Sequence, residues 1–442
     1  MPTRRDFVRN AALASAASLA ASVPAHAAPR FAPTGDALVL EPLARPFGRP
    51  TDIARDEAYW RRVAARYRVV SGTTNMEAGY FGMMANPVLA AYHRHIDRAN
   101  SASSIFARRE YPDILASVRE RVAKALGAKP TEIAFTRGAT EALQALIGQY
   151  NGLKAGDSIM YADLDYNAMQ YAMNELGERK GAKVVTFDIP EPASHDAIIA
   201  AYTAALDANP RTRLLLLTHC NNKTGLLLPV KELSALAHAR GVDVVVDAAH
   251  SFGQVPLALP DLGADFIGIN LHKWVGAPVG AGAMYIREGR LSAIDRAHGD
   301  PGPLDSIDSR IHTGTTHFAT VMTIPDALDF QEEIGVEEKS ARLRYLRDQW
   351  AIPARKVEGV DILTPDDKDL VGAITSFRIR GRGDHDSNRA VAKTLFEEFH
   401  LFTFYRTGLA KGDCVRVTPA LYNSPADAER LVAALEVVAA RG

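Results

Sequence analysis

Short runs of apolar and β-branched residues alternate with helix-length stretches through the middle of this chain. The runs are Glu132–Phe135, Ser158–Tyr161, Val184–Phe187, Leu214–Leu217, Val242–Val246, Phe266–Ile269 and Ala283–Ile286, and their length marks them as strands. Between them, residues 139–150, 167–179, 195–207 and 230–240 carry helical spacing. This alternation predicts an α/β fold: a seven-stranded, mostly parallel sheet covered on both faces. Ligands of such sheets bind beyond the carboxyl ends of the strands, so motifs that directly follow a strand carry the most weight.

Upstream, a helix is predicted over 52–67, where Tyr59, Trp60, Val63 and Tyr67 share a face, and another over 111–126, ended by Gly127 as a C-cap. Past Ile324 the pattern changes. A long helix from 327 to about 357 is followed by strands near 360–363 and 373–380 and a helix over 388–400. Short strands near 401–405 and 415–417 and a last helix over 425–440 complete a smaller α+β unit. The expected division is 1–27, a segment apart from the fold; 28–69, a proline-rich arm and helix; 70–325, the large domain; and 326–442, the small C-terminal domain. No internal repeat is seen.

The segment 1–27 has the form of a twin-arginine signal peptide. Arg4 and Arg5 precede an Ala- and Ser-rich apolar run over 11–23, and Ala25-His26-Ala27 is a small-x-small cleavage signature. The run falls short of the ~20 residues needed to span a bilayer, so no membrane span is expected. The expectation is export in the folded state by the twin-arginine machinery to a periplasmic or secreted location, an early hint of a cofactor. Lys+Arg is 51 and Asp+Glu is 52 of 442 residues, a net charge of -1 that argues against a nucleic-acid partner. Two cysteines exclude a disulfide framework and most cysteine-based metal sites. His93 and His95 alone make a poor ligand set and read as a solvated helix face, so no metal is expected.

Five features follow successive strands. Gly138-Ala139-Thr140-Glu141 opens a helix, where free amides and a hydroxyl form either an anion site or a plain cap. Tyr166 is an aromatic able to stack on a flat ring or simply to pack. Asn221-Asn222-Lys223-Thr224-Gly225 offers amides to a ligand or a turn. Asp247 ends a strand, as a cation partner or as a helix N-cap. Lys273 sits among apolar and small residues, where burial makes it a usable nucleophile, although a surface lysine is the commoner case. Together and in this order they suit an aromatic aldehyde phosphate, with phosphate at the helix, ring by Tyr166, ring nitrogen on Asp247 and aldehyde on Lys273. Those are the requirements of pyridoxal 5′-phosphate.

With Asp247-Ala248-Ala249-His250, His272-Lys273, Asn222 to Gly225, Gly314-Thr315 and Arg416-Val417-Thr418, the chain resembles the class V aminotransferase family of fold-type-I pyridoxal-phosphate enzymes. Asn75 to Gly82, with Glu77, Tyr80 and Phe81, is similar to the isopenicillin N epimerase-like branch. The resemblance spans roughly 73–440. It implies catalytic roles for Lys273, Asp247 and His250, with His250 and Asn222 near the cofactor's phenolic oxygen and Tyr166 on its ring. Ala139, Thr140, Asn270 and His272 would hold the phosphate, and Thr315 would reach the phosphate of a neighbouring subunit in a homodimer. Arg416 would grip the α-carboxylate of an amino-acid substrate, with Phe81 and Gly82 beside it.

The implied activity is chemistry at the α-carbon of an amino acid: epimerisation or β-elimination, alternatively transamination, or pyridoxal-phosphate binding without catalysis. Desulfurases of the family need a cysteine on a mobile loop before the carboxylate-binding arginine. Here Cys414 lies two residues before Arg416 on an expected strand, where positions 414 and 416 share a face, and it reads as a packed thiol. Cys220 reads as a buried strand-end cysteine. Arg108 and Arg109 are further candidate contacts for a substrate acid group.

Overall fold

The helices α1 (Glu57–Ala64), α2 (Asn86–Arg109) and α3 (Tyr111–Leu126) precede the sheet. The computed structural model describes residues 42–312 and 314–441; the segment 1–27 and the arm up to residue 41 lie outside the described residues. The helix expected over 52–67 starts later, because the Asp56 side chain accepts the Tyr59 amide (3.0 Å) and so caps α1 at its N-terminus. A single helical turn, Pro50–Ile53, precedes it. The 24-residue α2 has no counterpart in the predicted elements and is broken internally at Ser103 (φ 47°). As expected, α3 ends at Gly127 in the left-handed conformation.

The seven apolar runs form one sheet: β1 (Ile133–Thr136), β2 (Ser158–Ala162), β3 (Lys183–Phe187), β4 (Thr212–Thr218), β5 (Asp243–Asp247), β6 (Phe266–Asn270) and β7 (Gly282–Ile286). Its order is β1-β7-β6-β5-β4-β2-β3. The run β6-β5-β4-β2-β3 is parallel, and β7 is antiparallel to both of its neighbours. Helices α4 (Ala139–Gly148), α5 (Asn167–Lys180), α6 (His195–Ala208) and α7 (Val230–His238) follow β1, β2, β3 and β4. Successive strand residues enter opposite cores. Leu215, Leu217, Val244, Val246, Ile267 and Ile269 lie in one; Leu214, Leu216, Val245 and Phe266 lie in the other. Burial on both faces explains why these strands are continuously apolar.

After the sheet come α8 (Ile324–Ile334) and α9 (Val336–Ala354). The single helix expected from 327 to 357 is interrupted at Gly335, whose φ of 94° is incompatible with a continuing helix. A second, antiparallel sheet has the order β10-β11-β9-β8, from β8 (Val360–Ile362), β9 (Thr375–Ile379), β10 (Phe404–Arg406) and β11 (Cys414–Val417). Helices α10 (His385–Phe399) and α11 (Pro425–Ala440) share its core with α9. The strand expected near 401–405 is split, with Leu401–Phe402 pairing in parallel with Thr74–Asn75. An isolated bridge between Glu77 and Thr418 continues that contact, which lays the 74–78 segment against β11. Among the described residues no helix is long and apolar enough to cross a membrane.

Candidate active site

The carboxyl ends of β1, β2, β4, β5 and β6 open into one cavity of about 630 Å³. Tyr80, Phe81, Thr140, Tyr166, Asn222, Asp247, His250, Asn270, His272, Lys273, Arg406 and Arg416 all line it. Of the sequence-predicted residues, Gly82, Thr315, Arg108 and Arg109 are absent from this wall. The Gly82 amide donates to the His272 carbonyl (2.8 Å), and a Cβ there would run into the Lys273 carbonyl, so Gly82 shapes the lysine loop from behind. Thr315 is exposed in a separate concavity with Ser103, Arg108 and Tyr111.

A chain of ring nitrogens leads to the lysine. The Trp274 indole N–H donates to His250 Nδ1 (3.4 Å), and His250 Nε2 lies 2.9 Å from Lys273 Nζ. An indole only donates, so Nδ1 is the bare nitrogen and Nε2 carries the proton. His250 then donates to Lys273, which can accept only as a neutral amine. Burial pushes Lys273 down to about 8, against the attraction of Asp247 and helped by Arg416 and Arg406. Burial also holds His250 well below the usual imidazole range, which keeps it neutral. From the other side, Gln254 Nε2 donates to the His250 carbonyl, and Gln254 Oε1 accepts the Ala373 amide (2.7 Å).

The lysine loop is clamped from below. Lys339 Nζ donates to the Trp274 carbonyl and to Gln331 Oε1 (2.5 Å), and Gln331 Nε2 donates to the Val275 carbonyl (2.9 Å). Burial alone lowers Lys339 to about 7.

Asp247 is buried at the tip of β5, with Oδ1 accepting the Ala249 amide (2.9 Å) and no partner for Oδ2 among the described residues. Burial raises its carboxyl above the ordinary range, while that amide and Lys273 oppose the shift. At the start of α4, Asn270 Oδ1 accepts the Ala139 amide (2.8 Å), which ties β6 to the helix and leaves the exposed Thr140 hydroxyl free for an anion. His272 Nδ1 donates to the Ala281 carbonyl (2.8 Å), so Nε2 is the nitrogen left for a ligand. Tyr166 stands at the N-cap position of α5, its hydroxyl raised by burial and by the Asp247 charge. Asn222 Oδ1 is buried without a donor.

Arg416 is 1% exposed on β11, and Glu77 receives its Nε (3.2 Å) and Nη2. The Asn222 carbonyl takes Nη1 (2.7 Å), and Arg406 Nη2 also reaches Glu77 Oε1 (2.9 Å). Glu77, Arg406 and Trp274 were given no role by the sequence; Glu77 and Arg416 lie 339 positions apart, and no local pattern links them. His95, whose helix face was expected to be solvated, pairs with Asp326 (3.0 Å).

The class-V aminotransferase model matches residues 84–431. The chain belongs to the class-V aminotransferase family. It is 29% identical over 405 residues to the isopenicillin N epimerase of Streptomyces clavuligerus, covering 86% of this chain and 98% of that protein. It is 30% identical over 398 residues to the isopenicillin N epimerase of Amycolatopsis lactamdurans, covering 85% and 98%. The crystal structure of the Escherichia coli cysteine desulfurase CsdA superposes with a TM-score of 0.72 at 22% identity, over 86% of this chain and 98% of CsdA. The fold is therefore that of the fold-type-I pyridoxal-phosphate enzymes.

Pyridoxal 5′-phosphate is the cofactor of this family, and the cavity fits it. It presents a lysine amine whose basicity burial lowers and, among the described residues, a carboxylate oxygen without a partner, an unpaired buried amide oxygen and an open helix N-terminus.

Proposed function

We propose that this protein is a pyridoxal-phosphate enzyme that moves the Cα proton of an amino acid and epimerises it. The observation that carries this reading is the presence, in one cavity, of a buried lysine amine 2.9 Å from His250 and a fixed guanidinium with unused N–H groups. When bound, the cofactor supplies an electron-accepting ring that stabilises negative charge at Cα. Lys273 would hold the aldehyde carbon through Nζ, Asp247 would hold the ring nitrogen, and Thr140 and His272 would receive the phosphate. Arg416 orients the substrate by its α-carboxylate. Once the substrate's amino group has taken its place at the aldehyde carbon, the freed Lys273 Nζ would take the Cα proton on one face, and the Tyr166 hydroxyl is the candidate donor on the other.

The cysteines support no persulfide chemistry. Cys220 and Cys414 are buried, and burial pushes both thiols up to about 12. The Cys414 Sγ lies 3.7 Å from the Lys223 carbonyl.

Incubation in heavy water with a panel of amino acids and cysteine conjugates tests this reading. Recovery of intact substrate of both hands, deuterated at Cα, is expected. Pyruvate and a released sulfur fragment would replace epimerisation by β-elimination. Amino-group transfer to a keto acid would mark an aminotransferase, and no exchange with any substrate would favour a non-catalytic binding protein.

We also propose that the enzyme is exported folded through the twin-arginine signal of residues 1–27 and works as a homodimer in which Thr315 serves the second copy's phosphate site.

A further inference from the structure

Arg416 has five N–H groups, and three have partners within the protein. Glu77 takes Nε and Nη2 side-on, and the Asn222 carbonyl takes one on Nη1. One N–H remains on each Nη, and both are available to a substrate carboxylate. The guanidinium has little freedom to turn, since a Cβ on Gly79 would stand 2.6 Å from Nη2 and the backbone there is pressed against it. Arg406 shares the same Glu77 oxygen.

The side chains of Arg416, Glu77 and Arg406 are 1%, 5% and 19% exposed, so their charges are weakly screened by water. Two cations and one anion leave the cluster at one positive charge. Arg137, the other arginine on the cavity wall, is occupied by Glu141 (Nε to Oε1, 2.9 Å).

We propose that Glu77 sets the charge of the substrate: it cancels one of the two arginine charges, so the site accepts an amino acid with one carboxylate near Cα and rejects one with two. This rests on Arg416 binding the α-carboxylate. A second carboxylate on the side chain would have to give up water at a cluster whose one net positive charge the α-carboxylate has already cancelled, which is costly in a buried site. Without Glu77 the same two arginines would present two charges and suit a dicarboxylic amino acid. Glu77 acts through the arginines and is a positioning residue.

Asparagine and aspartate have nearly the same shape and differ by one charge. Titrating the pyridoxal-phosphate-loaded protein with each, and following the cofactor's absorption spectrum, gives two apparent dissociation constants. The wild type is expected to favour asparagine by at least about tenfold. Glu77→Gln should shift that preference toward aspartate by at least about tenfold, which a merely structural loss would not do.

A Glu77→Gln protein whose asparagine-to-aspartate ratio stays within about twofold of the wild type would overturn the proposal. Should that variant fail to fold or to take up cofactor, Arg406→Met decides. It lowers the cluster to zero net charge and should weaken asparagine binding about tenfold; unchanged affinity would overturn the proposal. A wild-type spectrum that responds to no amino acid would defeat the underlying reading of the site instead.

Discussion

Lys273, His250 and Trp274 act as one unit. The indole fixes the imidazole tautomer, and the imidazole favours the uncharged amine. An amine must be neutral to attack an aldehyde, and Lys273 is held at about 8. The rate at which pyridoxal phosphate attaches to cofactor-free protein should therefore rise about tenfold per pH unit well below 8 and level off above it, as stopped-flow absorbance would show. For Arg416→Ala, the loss of two charge-assisted hydrogen bonds to the substrate should raise KM by about 10- to 100-fold. An unchanged KM would place the α-carboxylate elsewhere. These residues were legible because Asp247 and His250 follow one strand end and Lys273 the end of the next, parallel strand beside it. Glu77 was not legible. Its meaning comes from two arginines brought to it by the second sheet, and its neighbours in sequence give no sign of them.

The strands of the large sheet could be read because burial on both faces leaves an unbroken apolar signature. α2 escaped notice because few of its residues are buried; Val88, Ala91 and Phe106 are the buried ones. Between α8 and α9, Gly335 is a stop signal visible in the sequence. The two helices matter to the chemistry, because Gln331 of α8 and Lys339 of α9 hold the carbonyls that follow Lys273. Lys339 binds a proton less tightly in the folded chain (about 7) than an ordinary lysine does (10.5). The unfolded chain thus holds the extra proton between those values, and stability from this group increases with pH across that window and is lost as pH falls toward 7. Denaturant titrations of wild type and Lys339→Met should differ in slope across this window by up to about 1.4 kcal/mol per pH unit. Parallel curves would show that Lys339 is not held as described. The variant should also retain pyridoxal phosphate less well, since the lysine loop loses its clamp.

At the scale of the whole molecule, the carboxyl end of the large sheet gathers the cofactor groups and the antiparallel sheet adds Arg406 and Arg416 to the same cavity. The 74–78 segment, laid against β11, completes the cluster with Glu77. Thr315 lies outside this cavity, so its expected role on a phosphate requires a second copy of the chain. Light scattering on the purified protein should give twice the mass of one chain; a monomer would remove the basis for that role. Replacing both Arg4 and Arg5 with lysine should keep the protein in the cytoplasm, and undiminished export in cell fractionation would argue against the twin-arginine route.

The most direct test of the account is to find where the cofactor is attached. Protein loaded with pyridoxal phosphate is treated with borohydride, which makes the lysine bond permanent, then digested and mapped by mass spectrometry. The account predicts a pyridoxyl-phosphate mass on Lys273 alone, and none on that peptide in Lys273→Ala. Label on Lys223 or Lys339, or no label at all, would contradict it.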